Sequence, residues 1–154
     1  MIVRAATPDD APAMSAILSE ILTLWGSERA HDPAHICKFY IEHPDQVSCV
    51  VAVSGAGEVL GFQSLKRAVA GNPYGVAVGW GVIGSYVKQG IGRRGVGAAL
   101  FTATAKSAHL HGLHEIDVTI SENNAAALGY YEAMGFRTYR RKQGAVCKCY
   151  TRDQ

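Results

Sequence analysis

Nothing in this chain of 154 residues approaches the roughly 18 consecutive apolar residues of a membrane-spanning helix, so no membrane partner is expected. Neither acids nor bases dominate: 15 Lys and Arg stand against 13 Asp and Glu. The resulting net charge of +2 is too small for the extended basic face that nucleic acid requires. Cysteines are few. Cys37, Cys49, Cys147 and Cys149 form no C-x-x-C pair, which points to reduced structural thiols rather than a disulfide framework. His31 and His35, and the group His109, His111 and His114, lack carboxylate or cysteine neighbours at ligand spacing, and no metal is expected. The opening Met1-Ile2-Val3-Arg4 lacks the basic-then-apolar layout of a secretory signal, and a cytoplasmic location is expected. Low-complexity tracts, repeats and linkers are missing as well, so residues 1–154 are expected to form one domain with a real core.

What is present is periodicity that switches between strand and helix. Ile2 to Ala6 reads as a short strand. Thr7-Pro8-Asp9-Asp10 then offers a capping hydroxyl, a proline at the first helical position and two acids near the positive end of the dipole. Met14, Ile17, Leu18, Ile21, Leu22 and Trp25 follow at helical spacing as one apolar face. Asp32-Pro33 opens a second helix, with Ile36, Phe39 and Tyr40 on one face and an end near Pro44. Val47 to Val53 and Val59 to Lys66 are strand-like, joined by a Gly55-Ala56-Gly57 turn. Beyond Gly71-Asn72-Pro73, Val76 to Val87 is β-like but carries Gly79, Gly81 and Gly84, which mark a bulge or a close approach to the backbone. A helix from about Gly95 to His111 stops at Gly112, and His114 to Ile120 alternates as a strand. Asn123 or Asn124 caps a short helix ending at Gly135, and strands near Phe136 to Lys142 and Val146 to Tyr150 close the chain. The order β-α-α-β-β-β-α-β-α-β-β predicts an α+β fold around a mixed sheet.

The stretch Gly90-Ile91-Gly92-Arg93-Arg94-Gly95-Val96-Gly97 has two readings as a phosphate loop. As G-x-G-x-x-G it is a dinucleotide fingerprint, and Glu115 and Asp117 stand roughly 20 residues on, where a ribose-binding acid belongs. Its context argues against this, because three strands precede the loop and too little chain follows to repeat a βαβ unit. In the second frame Gly95 and Gly97 open a helix. There the backbone N–H groups are unpaired, the dipole favours an anion, and Arg93 and Arg94 add positive charge.

In that frame the chain resembles the GNAT superfamily of acyl-CoA-dependent N-acyltransferases, whose loop runs Gln/Arg-x-x-Gly-x-Gly/Ala between strand four and helix three. Gly92 to Gly97 match it except at the first position, where Gly92 replaces Gln or Arg and Arg93 or Arg94 is at hand to compensate. A second stretch, Asn123 to Phe136, is similar to the family's Asn-x-x-Ala-x-x-x-Tyr-x-x-x-Gly-Phe signature, with Asn124, Ala127, Tyr131, Gly135 and Phe136 on its positions. The overall pattern loosely resembles the branch that acetylates amino-acid-like amines such as phosphinothricin.

The resemblance implies a mostly antiparallel sheet of six to seven strands, flanked by about four helices and splayed between strands four and five. It implies acetyl-CoA as co-substrate. Backbone donors around Arg93, Arg94, Gly95, Val96, Gly97 and Ala98 would hold its pyrophosphate, and Asn124 would contact its arm. A backbone N–H near Val87 would stabilise the oxyanion. Tyr131 matches the general acid that eases thiolate departure, while its neighbour Tyr130 is expected to pack. Many relatives use a glutamate on strand four as base, yet Val76 to Val87 has no acid. Glu28, His31, Asp117 or water alone remain open for that role. The implied activity is N-acetyl transfer to a primary amine of a small molecule by direct attack. A peptide amine as acceptor, a non-catalytic acyl-CoA-binding module and a homodimer all stay open.

Overall fold

In the computed structural model, which describes residues 1–91 and 95–152, seven strands form one sheet. They are β1 (Ile2–Ala5), β2 (Gln46–Val53), β3 (Val59–Arg67), β4 (Gly81–Val87), β5 (Glu115–Ser121), β6 (Arg137–Lys142) and β7 (Ala145–Thr151). Their order in space is β1-β2-β3-β4-β5-β7-β6, and every neighbouring pair is antiparallel except β4 and β5. Four α-helices flank the sheet: α1 (Ala11–Trp25), α2 (Pro33–Ile36), α3 (Val96–Leu110) and α4 (Ala125–Ala133).

Strand β2 is apolar on both faces because helices cover both. Cys49, Val51 and Val53 pack with Met14, Leu18 and Leu22 of α1, whereas Val50 and Ala52 pack with Val96 and Leu100 of α3. Each large side chain taken fully out of water in this way contributes roughly 1.5–3 kcal/mol. The onset of α1 is held by charge as well. Asp10 is buried, accepts from the Thr7 N–H at 2.8 Å, and forms a two-pronged pair with the Arg4 guanidinium at 2.8 and 2.9 Å. The Arg4 hydrogen bond is the largest cause keeping the Asp10 carboxyl below its ordinary range.

Three boundaries differ from the sequence reading. Trp25 shares the helical spacing of the α1 stripe but is 53% exposed, because the helix runs past the edge of the core. The helix expected from Asp32 to Pro44 is only Pro33–Ile36 before it widens into a π-type turn, Cys37–Ile41. There the Gln46 amide donates to the Tyr40 and Ile41 carbonyls at 2.6 and 2.7 Å, closing the ladder early. The strand expected from Val76 begins only at Gly81. Residues before it form a loop in which the Asn72 amide bonds the carbonyls of Val69 and Val76, each at 2.8 Å. This loop crosses to the far half of the sheet: Arg140 donates to the Gly75 carbonyl at 3.0 Å, and Lys142 to that of Tyr74 at 3.1 Å.

The β4–β5 junction positions the functional site. It comprises two residue pairs, Gly81 with Ile116 and Val82 with Asp117, after which the strands separate. The phase of β4 is set by Lys88 N–H bonding the Leu60 carbonyl and Ala68 N–H bonding that of Trp80, both at 2.8 Å. Antiparallel pairing alternates, so Val82, Gly84 and Tyr86 bond β3. The last parallel pair, Val82 with Asp117, takes up the Ile83 N–H on the Asp117 carbonyl, so the backbone N–H groups of Ser85 and Val87 point away from β3, toward the gap that β5 has left.

Candidate active site

The gap opens into a cavity of about 790 Å³. Its walls are β4 from Val82 to Tyr86, β5 from Val118 to Ser121, the start of α4, and residues from the α1–α2 side. A cavity of this size is typical of small-molecule sites.

On the α3–α4 side the polar side chains hold one another in a chain, with the buried Gln63 Oε1 as the atom left without a partner among the described residues. The Asn124 side chain caps α4 by accepting from Ala127 N–H at 3.1 Å. Tyr131, one turn further on, is 4% exposed and donates to the Ser85 hydroxyl at 2.7 Å. Burial drives the Tyr131 hydroxyl far above its ordinary range, so it stays protonated and suits a donor rather than a base. Ser85 also accepts from the Gln63 amide at 2.7 Å, and the same amide donates to the Tyr130 hydroxyl at 3.1 Å. Tyr130 in turn donates to the Gly97 carbonyl at 2.7 Å. Its ring lies so close to α3 that a Cβ on Gly97 would stand 2.6 Å from Cε1. Tyr130 thus does more than pack: it fixes the first turn of α3. That turn begins at Gly95 (φ 75°), with no side-chain cap, and its first backbone bond back to Gly95 comes from Ala99 at 2.9 Å. The N–H groups of Val96, Gly97 and Ala98 have no intrahelical acceptor and face the positive end of the dipole.

The α1–α2 side is different. Tyr40, Phe62 and Tyr86 form an aromatic cluster with ring centres 4.9–5.8 Å apart. Above it Lys66, 6% exposed, lies with its Nζ 3.4 Å from the centre of the Phe39 ring. Burial holds the Lys66 ammonium down at about 8. Arg29 donates to the Tyr40 hydroxyl at 3.2 Å. Both cations line the cavity, together with Trp25 and Tyr74.

Comparison with known proteins decides what this arrangement belongs to. The sequence model of the acetyltransferase (GNAT) family matches residues 12–136. The chain belongs to this family. No curated protein matches it by sequence. Solved structures share its fold. A ribosomal-protein-alanine N-acetyltransferase from Brucella melitensis is 21% identical with a TM-score of 0.78, over 98% of this chain and 99% of that one. A protein of Salmonella typhimurium described as an acetyltransferase, solved with its cofactor acetyl-CoA, is 20% identical at 0.80, over 99% and 94%. A protein described as a phosphinothricin N-acetyltransferase is 18% identical at 0.76, over 99% of both.

Within this GNAT chain the expected residues are distributed unevenly. Asn124 and Tyr131 line the cavity. Val87 ends β4, with its N–H on the open side, beyond the cavity-lining residues. Gly95, Val96, Gly97 and Ala98 open α3, whereas Gly92, Arg93 and Arg94 lie outside the described residues. None of Glu28, His31 and Asp117 lines the cavity. Asp117 is fully buried against Tyr139, whose hydroxyl donates to it at 2.5 Å, and burial raises its carboxyl. Glu28 is exposed, and His31 keeps a buried Nδ1 without a hydrogen bond. Gln63, Ser85, Lys66 and Arg29 were not singled out from sequence. For Lys66 a signal existed: Phe62, Ser64 and Lys66 alternate on one face of β3, so a core Phe62 implies an inward Lys66.

Proposed function

We propose that this acetyltransferase moves the acetyl group of acetyl-CoA to a primary amine of a small molecule bound in the same cleft, by direct attack, with residues 1–154 acting as one domain. The observation that carries the reading is the divergence of β4 and β5, which leaves the N–H groups of Ser85 and Val87 facing a gap beside Tyr131. Unpaired strand donors and an uncapped helix start fit a ligand with an amide-bearing arm and a pyrophosphate. When bound, acetyl-CoA supplies an acyl group on a sulfur leaving group.

The N–H groups of Val96, Gly97 and Ala98, with Arg93 and Arg94 nearby in sequence, hold the pyrophosphate. Asn124 contacts the arm. The Val87 N–H faces the thioester oxygen and stabilises negative charge as it develops there. Tyr131 presents its O–H to the departing sulfur. Because burial lifts that hydroxyl well above a thiol's ordinary pKa of about 8.5, complete proton transfer is uphill, and Tyr131 acts chiefly as a hydrogen-bond donor to sulfur. No carboxylate lines the described cavity, so the ammonium proton leaves through water. The cavity's size and aromatic walls favour a small acceptor over a protein.

Thiol release from acetyl-CoA, measured against a panel of primary amines with products identified by mass, tests the reading. Amine-dependent release with an N-acetylated product is expected. Tight acetyl-CoA binding without turnover of any amine would leave a binding module instead. Failure to bind acetyl-CoA, or NAD competing at comparable concentration, would remove the coenzyme assignment altogether.

A further inference from the structure

Two lysines are almost equally buried, and they differ in their partners and in what they face. Lys148, 7% exposed, has Glu132 at 2.7 Å and the Thr138 hydroxyl at 3.0 Å. Lys66, 6% exposed, has no hydrogen bond or ion pair among the described residues; it rests against the rings of Phe39 and Tyr40, and Asp45, Cys49, His43 and Arg29 are the ionisable groups near enough to feel its charge. An ammonium taken out of water without an anion is costly, and aromatic faces offset only part of that cost. Unlike Lys148, Lys66 faces a cavity.

Arg29 stands at the same place. It shares Tyr40 with Lys66: its Nη2 lies 3.2 Å from the Tyr40 hydroxyl, and Lys66 Nζ lies 5.5 Å from the Tyr40 ring centre. It has no carboxylate partner among the described residues. No Asp, Glu or His lines the described cavity, so its wall carries two cations and no anion. This charge is not placed for coenzyme phosphates. Lys66 is level with Val82, five residues before Val87, or about 17 Å along the strand at 3.3 Å per residue. The α3 start lies beyond Val87, and α3 covers the opposite face of the sheet from Phe39 and Tyr40.

We infer that the acceptor is an amine that also carries a compact anionic group, such as a carboxylate, and that Lys66 and Arg29 hold this group while the amine faces Ser85 and the open edge of β4. The inference rests on the acetyl-transfer reading above. A planar guanidinium beside a point-charge ammonium suits a two-oxygen anion. The same wall repels polyamines and aminoglycosides, which bring further ammonium groups. An anion bound beside Lys66 also removes the reason for its lowered pKa, so binding near pH 8 should draw a proton onto the protein.

The experiment compares matched acceptors: L-amino acids, their carboxamides, the corresponding decarboxylated amines, and spermidine. Parent kcat/KM should favour the acids over the amides by at least about tenfold, the size of one lost charge-assisted contact. Lys66→Met should reduce that ratio to within about threefold, through KM, with acetyl-CoA affinity unchanged. A second readout needs no turnover. Calorimetry on the CoA complex should show N-acetyl amino acids binding more tightly than their amides, with proton uptake near pH 8, and both differences should vanish in Lys66→Met. Equal use of acids and amides, preference for spermidine, or an unchanged ratio in Lys66→Met would overturn the inference while leaving acetyl transfer intact. If no panel amine is acetylated, equal binding of acid and amide products, or no binding, overturns it as well. Loss of acetyl-CoA binding in the parent would instead strike the underlying reading.

Discussion

The two sides of the cleft are built on opposite plans. On the α3–α4 side, Gln63, Ser85, Tyr131 and Tyr130 form a chain of hydrogen bonds that ends on the Gly97 carbonyl and leaves only the Gln63 Oε1 over. On the α1–α2 side, Lys66 lies buried against rings with no ion pair or hydrogen bond among the described residues, and the exposed Arg29 reaches one tyrosine hydroxyl. The first plan fixes donors before any ligand arrives, which suits a coenzyme that is the same in every turnover. The second leaves the buried charge of Lys66 without an ion pair, beside a solvated Arg29, until an acceptor brings its complement. A satisfied wall gives rigidity, and an unsatisfied wall gives discrimination.

The largest effect expected on the satisfied side is on chemistry. Tyr131→Phe removes one hydroxyl, leaves the ring packed on Phe136, and should lower kcat by about 10- to 100-fold, or roughly 1.4–2.7 kcal/mol. Acetyl-CoA affinity should move by less than about threefold. Steady-state kinetics on any good acceptor reads both quantities. Parental kcat in Tyr131→Phe would mean that the network is structural only.

Next in size is Gly97→Ala. Alanine ordinarily favours a helix by roughly 0.5–1 kcal/mol over glycine. Here the added Cβ meets a Tyr130 ring that is tied by its own hydroxyl, and overpacking costs about 1–3 kcal/mol. A net loss of about 1–2 kcal/mol is expected, measured by urea unfolding. In a Tyr130→Ala background the obstruction is gone and the same substitution should become stabilising. If its sign does not reverse, Tyr130 is not what demands glycine at this position. Tyr130→Phe should cost less, about 1 kcal/mol, for the bonds to Gly97 and from Gln63. Because the first turn of α3 loosens, its acetyl-CoA KM should rise several-fold. An unchanged KM would separate Tyr130 from coenzyme binding.

The two plans also differ in how far they could be read from sequence. Gly95, Gly97, Asn124 and Tyr131 lie in contiguous stretches whose spacing reports local backbone: a helix start, a cap and one turn of helix. Lys66, Arg29, Phe39 and Tyr40 come from three separate segments, and only tertiary packing brings them together. β4 was misread at its start because Val76 and Val78 continue the strand-like alternation, while the loop that holds them is set by Asn72 and by distant Arg140. Trp25 was misread for the converse reason: helical phase says which way a residue points, and says nothing about where the core ends. The splay of β4 from β5 came from family likeness, since no local pattern encodes the absence of pairing. Seven strands, four helices and a mixed sheet follow from periodicity and turn residues.

The smallest expected effect tests the unsatisfied side directly. Lys66→Met keeps the length of the side chain and its contact with Phe39 but removes the charge. Below pH 8 the parent holds a buried ammonium that the unfolded chain would hold in water, so the native state carries the full penalty. Lysine titrates near 10.4 when unfolded. Between about 8 and that value the unfolded chain binds more protons than the native one, and parent stability rises with pH. Above it, both states are neutral and the penalty is gone. Lys66→Met should therefore melt higher than the parent at pH 7, by about 2 °C for a gain under 1 kcal/mol in a chain of this size. The gap should narrow from pH 8 upward and pass through zero before about pH 10.5, because a shift from about 10.4 to about 8 is worth roughly 3 kcal/mol. The remaining ionisable groups are common to both proteins and cancel in the difference. The same substitution at Lys148 removes its bonds to Glu132 and Thr138, leaving Glu132 only the exposed Arg137 at 3.5 Å, and should lower the melting temperature at pH 7. Opposite signs for the two lysines would establish the contrast between a paired and an unpaired buried cation. A destabilising Lys66→Met would show that its ammonium already has the counter-charge or water that the open wall was inferred to lack.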